Sequence, residues 1–364
     1  MNASLRAAPS PLALARPELL ELKPYEHAAW EPQLERLHAN ELPWRPSGDP
    51  TLAGLNRYPE PQPRLLIERL AALYGVEPSE VLVGRGSDEA IDLLTRAFCR
   101  AGTDAVVVCP PTFGMYAVAA RIQGAAVARV PLLAERGFAL DVAGILERCS
   151  APASPVKLVY VCTPNNPTGN LVPERVLLEL AESLAGRALL VIDEAYLEFS
   201  GAPSMARHVR TQPYLTVVRT LSKAFGLAGA RCGTLIATPQ IVALLRKLIP
   251  PYALTQPTIE TVRAALAPEE VAAADARVAC VRTERERLAR SLASLPAVTR
   301  VWPSAANFLL VEFRDAATAF ARARAGGLLV RDVRTQPGLS RHLRITVGSA
   351  EQNTRLIGAL GALD

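Results

Sequence analysis

The chain has 364 residues, half of them apolar, with 40 Lys and Arg against 35 Asp and Glu and a formal net charge of +5. That length suits one large packed unit with a smaller one, or two of similar size. The positive charge is modest and dispersed, with no Lys/Arg block of the kind that grips a polynucleotide, so anionic small molecules are the expected partners.

No apolar run approaches the ~20 residues of a membrane span, and no charged-then-apolar leader opens the chain. Six cysteines (Cys99, Cys109, Cys149, Cys162, Cys232, Cys280) are widely separated. None has metal-ligand spacing, so no metal is expected, and they read as buried free thiols in a reducing cytoplasm.

Residues 1 to about 20, rich in Ala and Pro, read as a loosely ordered lead-in. Leu22-Lys23-Pro24-Tyr25 follows, then an amphipathic segment from Glu31 to His38 and turn-rich stretches around Asn40 and Gly48. Arg57-Tyr58-Pro59 is rigid and extended, and its Tyr is either a ligand contact or a loop anchor.

From Pro63 onward helices and strands alternate. Helices are expected over Arg64–Tyr74, Ala90–Phe98, Met115–Gln123, Asp141–Arg148 and Pro173–Leu184. Strands are expected over Val81–Val83, Ala105–Cys109, Val127–Leu132, Lys157–Cys162, Ala188–Ile192, Leu215–Arg219 and Thr234–Ala237. Continuous apolar strands spaced by helices predict an α/β fold whose mostly parallel sheet is covered on both faces. Ligands bind such sheets at the carboxyl ends of the strands.

After Pro250 the pattern shifts. A long helix over Pro268–Leu295, a strand over Asn307–Phe313, a helix over Ala316–Ala325, and the runs Leu328–Val333 and Leu343–Val347 predict a smaller, strand-poor C-terminal α/β unit. The expected division is 1–50, packing with the small unit, then 51–252 and 253–364.

The polar signal gathers at strand ends. Gly84-Arg85-Gly86-Ser87-Asp88-Glu89 opens a helix and suits an anion, although by itself it reads first as an ordinary N-cap by Ser87. Asn165 and Asn166, in an Asn-Pro-Thr-Gly turn, are placed to bond a ligand oxygen. Asp193 closes the apolar run Leu189-Leu190-Val191-Ile192, where a carboxylate needs a partner. A pyridinium N–H is one such partner, and Tyr196 reaches toward the same ring.

Only four lysines occur, and one of them, Lys223, follows Ser222 in a loop punctuated by Gly226 and Gly229. Alone it reads first as a solvated loop lysine and only second as an amine nucleophile. Arg231, eight residues on, suits a phosphate. Arg331 and Arg344 flank strands of the tail and suit an anionic substrate if they are not plain surface arginines.

Taken together, Asn40-Glu41, Arg57-Tyr58-Pro59, Gly84-Arg85-Gly86-Ser87-Asp88-Glu89, Pro110-Pro111-Thr112-Phe113-Gly114-Met115-Tyr116, Asn165-Asn166-Pro167-Thr168-Gly169, Asp193-Glu194-Ala195-Tyr196, Ser222-Lys223 through Arg231, and Leu343 through Gly348 carry a resemblance. The chain resembles the fold-type I, class II pyridoxal-phosphate aminotransferases, and within them the histidinol-phosphate aminotransferase family. The resemblance spans nearly the whole chain. It implies a large domain with a mostly parallel seven-stranded sheet, plus a small C-terminal domain.

The implied cofactor is pyridoxal 5'-phosphate. Lys223 is implied to carry it and to shuttle the proton of the substrate α-carbon. Asp193 is implied to bond the pyridine nitrogen, Asn166 and Tyr196 the ring oxygen, and Phe113 the ring face, where the family often has Tyr. Ser87, Asp88, Ser222 and Arg231 are implied to hold the phosphate, with Tyr58 reaching it from the second subunit of a homodimer. Arg344, Arg331, Tyr25 and Asn40 are the implied substrate residues.

The implied reaction moves an amino group between histidinol phosphate and 2-oxoglutarate, giving imidazole-acetol phosphate and glutamate, in histidine biosynthesis. Aromatic amino-acid transamination and threonine-phosphate decarboxylation are the alternatives within related sites. A transcription regulator with an aminotransferase-like sensor lacks a basic recognition helix here. His38-Ala39 departs from the family's usual Leu-Asn, which leaves the role of Tyr25 the least supported.

Overall fold

The computed structural model describes residues 10–31, 33–151 and 154–361. Seven strands, β1 (Val81–Gly84), β2 (Ala105–Val108), β3 (Ala126–Arg129), β4 (Val156–Cys162), β5 (Leu189–Asp193), β6 (Leu215–Thr220) and β7 (Gly233–Ile236), form one sheet in the order β1-β7-β6-β5-β4-β2-β3. Pairing is parallel from β6 through β3, and β7 alone runs against its neighbours.

Among the described residues eleven α-helices accompany the strands: α1 (Pro17–Leu20), α2 (Arg64–Tyr74), α3 (Ser87–Phe98), α4 (Met115–Gln123), α5 (Val142–Ser150), α6 (Glu174–Leu184), α7 (Pro239–Arg246), α8 (Gln256–Ala265), α9 (Pro268–Ala293), α10 (Ala316–Ala325) and α11 (Ala350–Gly361).

The inner strands β2, β4, β5 and β6 are largely apolar because both faces are covered. Alternate residues diverge, as a pleated strand requires. Leu158, Tyr160, Leu189 and Val191 pack with α3, α4 and α7 on one face. Val159, Val161, Leu190 and Ile192 pack with α5 and α6 on the other. Burying one such Leu or Ile stabilises the fold by roughly 1.5–3 kcal/mol. These two layers fix the sheet, and with it the edge where its parallel strands end.

Four further strands, β8 (Val298–Val301), β9 (Phe308–Phe313), β10 (Arg331–Asp332) and β11 (His342–Thr346), form a second, wholly antiparallel sheet in the order β10-β11-β9-β8. Leu309, Val311, Phe313, Leu343 and Ile345 pack there with α10, α11 and the end of α9. The tail is thus richer in strands than expected. β8 was missed because no residue of it is fully buried, so it carries little apolar signal.

Other expectations shift. From Ser10 on, the lead-in is ordered: Leu14 and Ala15 are buried against the helices of the large sheet, and Arg16 donates to the Arg96 carbonyl. Residues 10–20 therefore pack on the large sheet rather than with the small unit. Residues 1–9 lie outside the described residues. The described part of 31–38 forms turns, and Leu34 and Leu37 are exposed, so its apolar positions cover nothing in this chain. α8 packs on α2 and β1 through Ile259, Val262 and Leu266.

All six cysteines are free, four of them buried, whereas Cys149 is partly open and Cys280 exposed. Among the described residues no helix is long and apolar enough to cross a membrane.

Candidate active site

The carboxyl ends of β1, β2, β4, β5 and β6 meet at one edge of the large sheet, and the loops leaving them line a single cleft. Its walls include Ser87, Asp88, Phe113, Asn166, Asp193, Tyr196, Ser222, Lys223 and Arg231. Nine candidates drawn from five separate stretches of chain thus converge. Cys162, the last residue of β4, Ala195, Thr220 and Ala228 complete the lining.

Asp193 is the last residue of β5 and is buried. Its Oδ1 accepts the Ala195 backbone N–H at 3.0 Å and its Oδ2 accepts the Tyr116 hydroxyl at 2.7 Å. Burial pushes its carboxyl up to about 6, against these two hydrogen bonds, which pull it down. Glu194, next in the chain, points elsewhere. It accepts from Arg219 at 2.8 Å and from Ser204 at 2.5 Å.

Lys223 follows β6. It is exposed to the cleft, with its ammonium 5.8 Å from the centre of the Tyr196 ring. Desolvation, then the charges of Arg344 and Arg231, hold the amine below the usual lysine range. A larger neutral fraction is what a nucleophilic amine needs.

The start of α3 forms one wall. Its N-cap is Gly86, in a left-handed conformation, and no side chain caps it, so Ser87 lies inside the helix rather than serving as the cap. The first N–H groups of α3 are therefore open to an anion. Arg231 sits across the loop, with Nη2 3.6 Å from Asp88. Gly233, at the start of β7, lies under this helix: a Cβ there would come within 2.3 Å of the Gly86 carbonyl carbon and 2.5 Å of the Ser87 nitrogen.

Of the two adjacent asparagines only Asn166 lines the cleft. Its Nδ2 is 3.4 Å from the Tyr196 hydroxyl, and its Oδ1 accepts from Arg344 Nη1 at 2.5 Å. Asn165 is turned away as a brace. Its Nδ2 donates to Pro111 O at 2.9 Å and Thr168 Oγ1 at 2.6 Å, and its Oδ1 accepts from Thr112 Oγ1 at 2.8 Å. It ties the Phe113 loop to the Asn166 loop.

Arg344 on β11 brings the small sheet to the cleft, its guanidinium 5.3 Å from the Phe308 ring. Its Nε is buried with no partner among the described residues, and burial lowers its pKa. Arg331 is its cross-strand neighbour in the antiparallel pair and is exposed.

Three candidates lie elsewhere in this chain. Tyr58 stacks on Tyr252 at 4.4 Å and, with Asn40, lines a cleft separate from that of Lys223. Tyr25 is 75% exposed at the rim of another, lined also by His27, Trp30 and Lys247. Glu41, unassigned from sequence, anchors the Tyr58 segment. It accepts the Tyr58 N–H at 2.7 Å and pairs with Arg36 at 2.8 Å and Arg57 at 3.0 Å. Tyr116 was likewise missed, since its partner Asp193 is 77 residues away.

The family described as aminotransferase class I and II matches residues 51–360. The chain is 47% identical over 360 residues to the histidinol-phosphate aminotransferase of Stenotrophomonas maltophilia (strain R551-3), covering 96% of each. It is 43% identical over 357 residues to that of Shigella flexneri serotype 5b (strain 8401), covering 96% of this chain and 97% of the relative. The crystal structure of histidinol-phosphate aminotransferase from Sinorhizobium meliloti, in complex with pyridoxal-5'-phosphate, superposes with a TM-score of 0.75 at 26% identity, over 84% of this chain and 82% of that one.

Proposed function

The chain belongs to the class I and II aminotransferases, and from that premise we propose that it transfers the amino group of histidinol phosphate to 2-oxoglutarate. The products are imidazole-acetol phosphate and glutamate, a step of histidine biosynthesis, carried out in the cytoplasm with pyridoxal 5'-phosphate. The names of relatives 43–47% identical over nearly the whole chain support the substrate. The observation that carries the cofactor is chemical: a buried carboxylate, Asp193, and a lysine held below its usual range, Lys223, share one cleft with an uncapped helix N-terminus. Each matches one part of pyridoxal phosphate: the ring nitrogen, the aldehyde and the phosphate.

When bound, the cofactor supplies a carbonyl carbon and an electron-accepting ring. The N–H groups of Ser87 and Asp88, the Ser222 hydroxyl and the Arg231 fork would hold its phosphate. Asp193 would pair with its ring nitrogen, Asn166 and Tyr196 with its ring oxygen, and Phe113 would pack against the ring. Lys223 Nζ would supply the amine that holds the carbonyl carbon and would accept the proton that leaves the substrate α-carbon.

Arg344 takes the α-carboxylate of glutamate, and its unpartnered Nε is one donor for that anion. Arg331, beside it, joins it on the phosphate of histidinol phosphate. Tyr58, Asn40 and Tyr25 serve the Lys223 cleft of a second copy, in a homodimer. The exposed Leu34, Leu37, Leu42, Trp44 and Leu52 suit burial between copies.

The test is a substrate panel. Protein loaded with pyridoxal phosphate should form glutamate from histidinol phosphate and 2-oxoglutarate. Failure with histidinol phosphate alongside turnover of phenylalanine or tyrosine rejects the substrate, and release of carbon dioxide from phosphothreonine rejects the reaction type.

A further inference from the structure

We infer that Tyr116 is a positioning residue for Asp193: its hydroxyl holds that carboxylate ionised and fixed in orientation at the floor of the cleft. The inference rests on the cofactor reading above.

Tyr116 lies in the first turn of α4, fully buried and behind the cleft wall. Its hydroxyl is 2.7 Å from Asp193 Oδ2. Its ring is locked from two sides. It stacks on Tyr160 at 4.8 Å with the planes 4° apart, and it meets Phe113 edge-on at 5.6 Å and 82°. Tyr160 is itself pinned, its hydroxyl 2.9 Å from Thr95 Oγ1 and donating to the Ile91 carbonyl at 3.2 Å. The phenol has no freedom to swing away, so the contact is built in rather than adventitious.

The direction of the bond follows from the surroundings. Burial, then the nearby Asp193, push the Tyr116 hydroxyl well above its usual range, so it remains a donor. The other ionisable groups facing Asp193 are Asp88, Glu194, Cys162, Tyr196 and Lys223. Asp88 and Glu194 repel its charge, and Glu194 is engaged by Arg219. Burial keeps Cys162 and Tyr196 neutral. Among the described residues, the hydrogen bonds to the Asp193 carboxylate come from Tyr116 and the Ala195 N–H. One residue thus supports both the ring partner, Asp193, and the ring-face partner, Phe113.

The test is Tyr116→Phe, which keeps the ring and removes the donor. The Asp193 titration is followed in the apoprotein through its infrared carboxyl band, assigned by its loss in Asp193→Asn. Tyr116→Phe is expected to move that titration up by about one to two pH units, the size of one hydrogen bond to a charged group. Pyridoxal phosphate affinity is expected to fall about tenfold, in line with such a shift. Tyr160→Phe, which loses the hydroxyl bonded to Thr95 and the Ile91 carbonyl but keeps the ring stacked on Tyr116, is expected to move neither. An Asp193 titration and cofactor affinity in Tyr116→Phe equal to those of the native protein overturn the inference. If the native protein takes up no cofactor, the cofactor reading falls, while the apoprotein titration still decides the role of Tyr116.

Discussion

Arg344 on the small sheet donates from Nη1 to Asn166 Oδ1, on the loop after β4, at 2.5 Å across 178 residues of sequence. The bond joins the two sheets at the cleft, and it involves a guanidinium whose Nε has no partner among the described residues.

Arg344→Lys keeps the charge and loses the fork, so it is not a conservative change here. With one hydrogen bond to a carboxylate lost, kcat/KM for glutamate should fall roughly 10- to 100-fold. Arg331→Lys, at an exposed position, should change it less. Steady-state kinetics with both variants check this; equal effects reject the assignment of the carboxylate to Arg344.

Asp193 makes stability and activity pull apart. Its carboxyl is raised from 3.8 to about 6, chiefly by burial. A carboxyl raised in the folded state contributes stability that is present below its unfolded value and lost as pH rises through about 6. About two units at ~1.4 kcal/mol each make the loss on the order of 3 kcal/mol. Apoprotein carrying Asp193→Asn should therefore exceed the native apoprotein in stability by up to that amount at pH 8 and match it near pH 4, while transaminase activity falls by orders of magnitude. Urea unfolding at the two pH values measures it.

Gly233 is fixed by backbone approach, not by its φ. A Cβ meets the Gly86–Ser87 backbone, which has no flexible end to yield. Gly233→Ala should push the start of α3 off its seat and weaken cofactor affinity at least tenfold, on the order of 1.4 kcal/mol. Gly114→Ala, where a Cβ meets nothing within 4 Å, is the control and should leave affinity unchanged.

Arg219 lies buried on β6, donating to Glu194 and Glu198 at 2.8 Å each, with its guanidinium 4.9 Å from the Tyr74 ring. Removing it strands two carboxylates in the interior. Arg219→Ala should destabilise the protein by roughly 3–5 kcal/mol, read by denaturant unfolding of the apoprotein.

The large sheet was legible because each buried strand announces itself as an apolar run, and Asp193, Lys223 and Asn166 stand out as polar residues where such runs end. Gly86 and Gly233 show why the anion loop needs glycine twice, but only Gly86 carries that signal locally. Tyr116 was not legible: its hydroxyl is used 77 residues away, and an aromatic in an apolar helix looks like core. The anchoring role of Glu41 was hidden likewise, its partners Arg36, Arg57 and Tyr58 being brought to it by turns with no periodicity. β8 failed for the opposite reason, as a half-exposed strand with charge in its middle.

The most direct test of the account is to trap the cofactor. Native protein incubated with pyridoxal phosphate, reduced with borohydride and mapped by peptide mass spectrometry should carry one pyridoxyl group, on Lys223. Attachment to Lys23, Lys157 or Lys247 instead, or none at all, would contradict it.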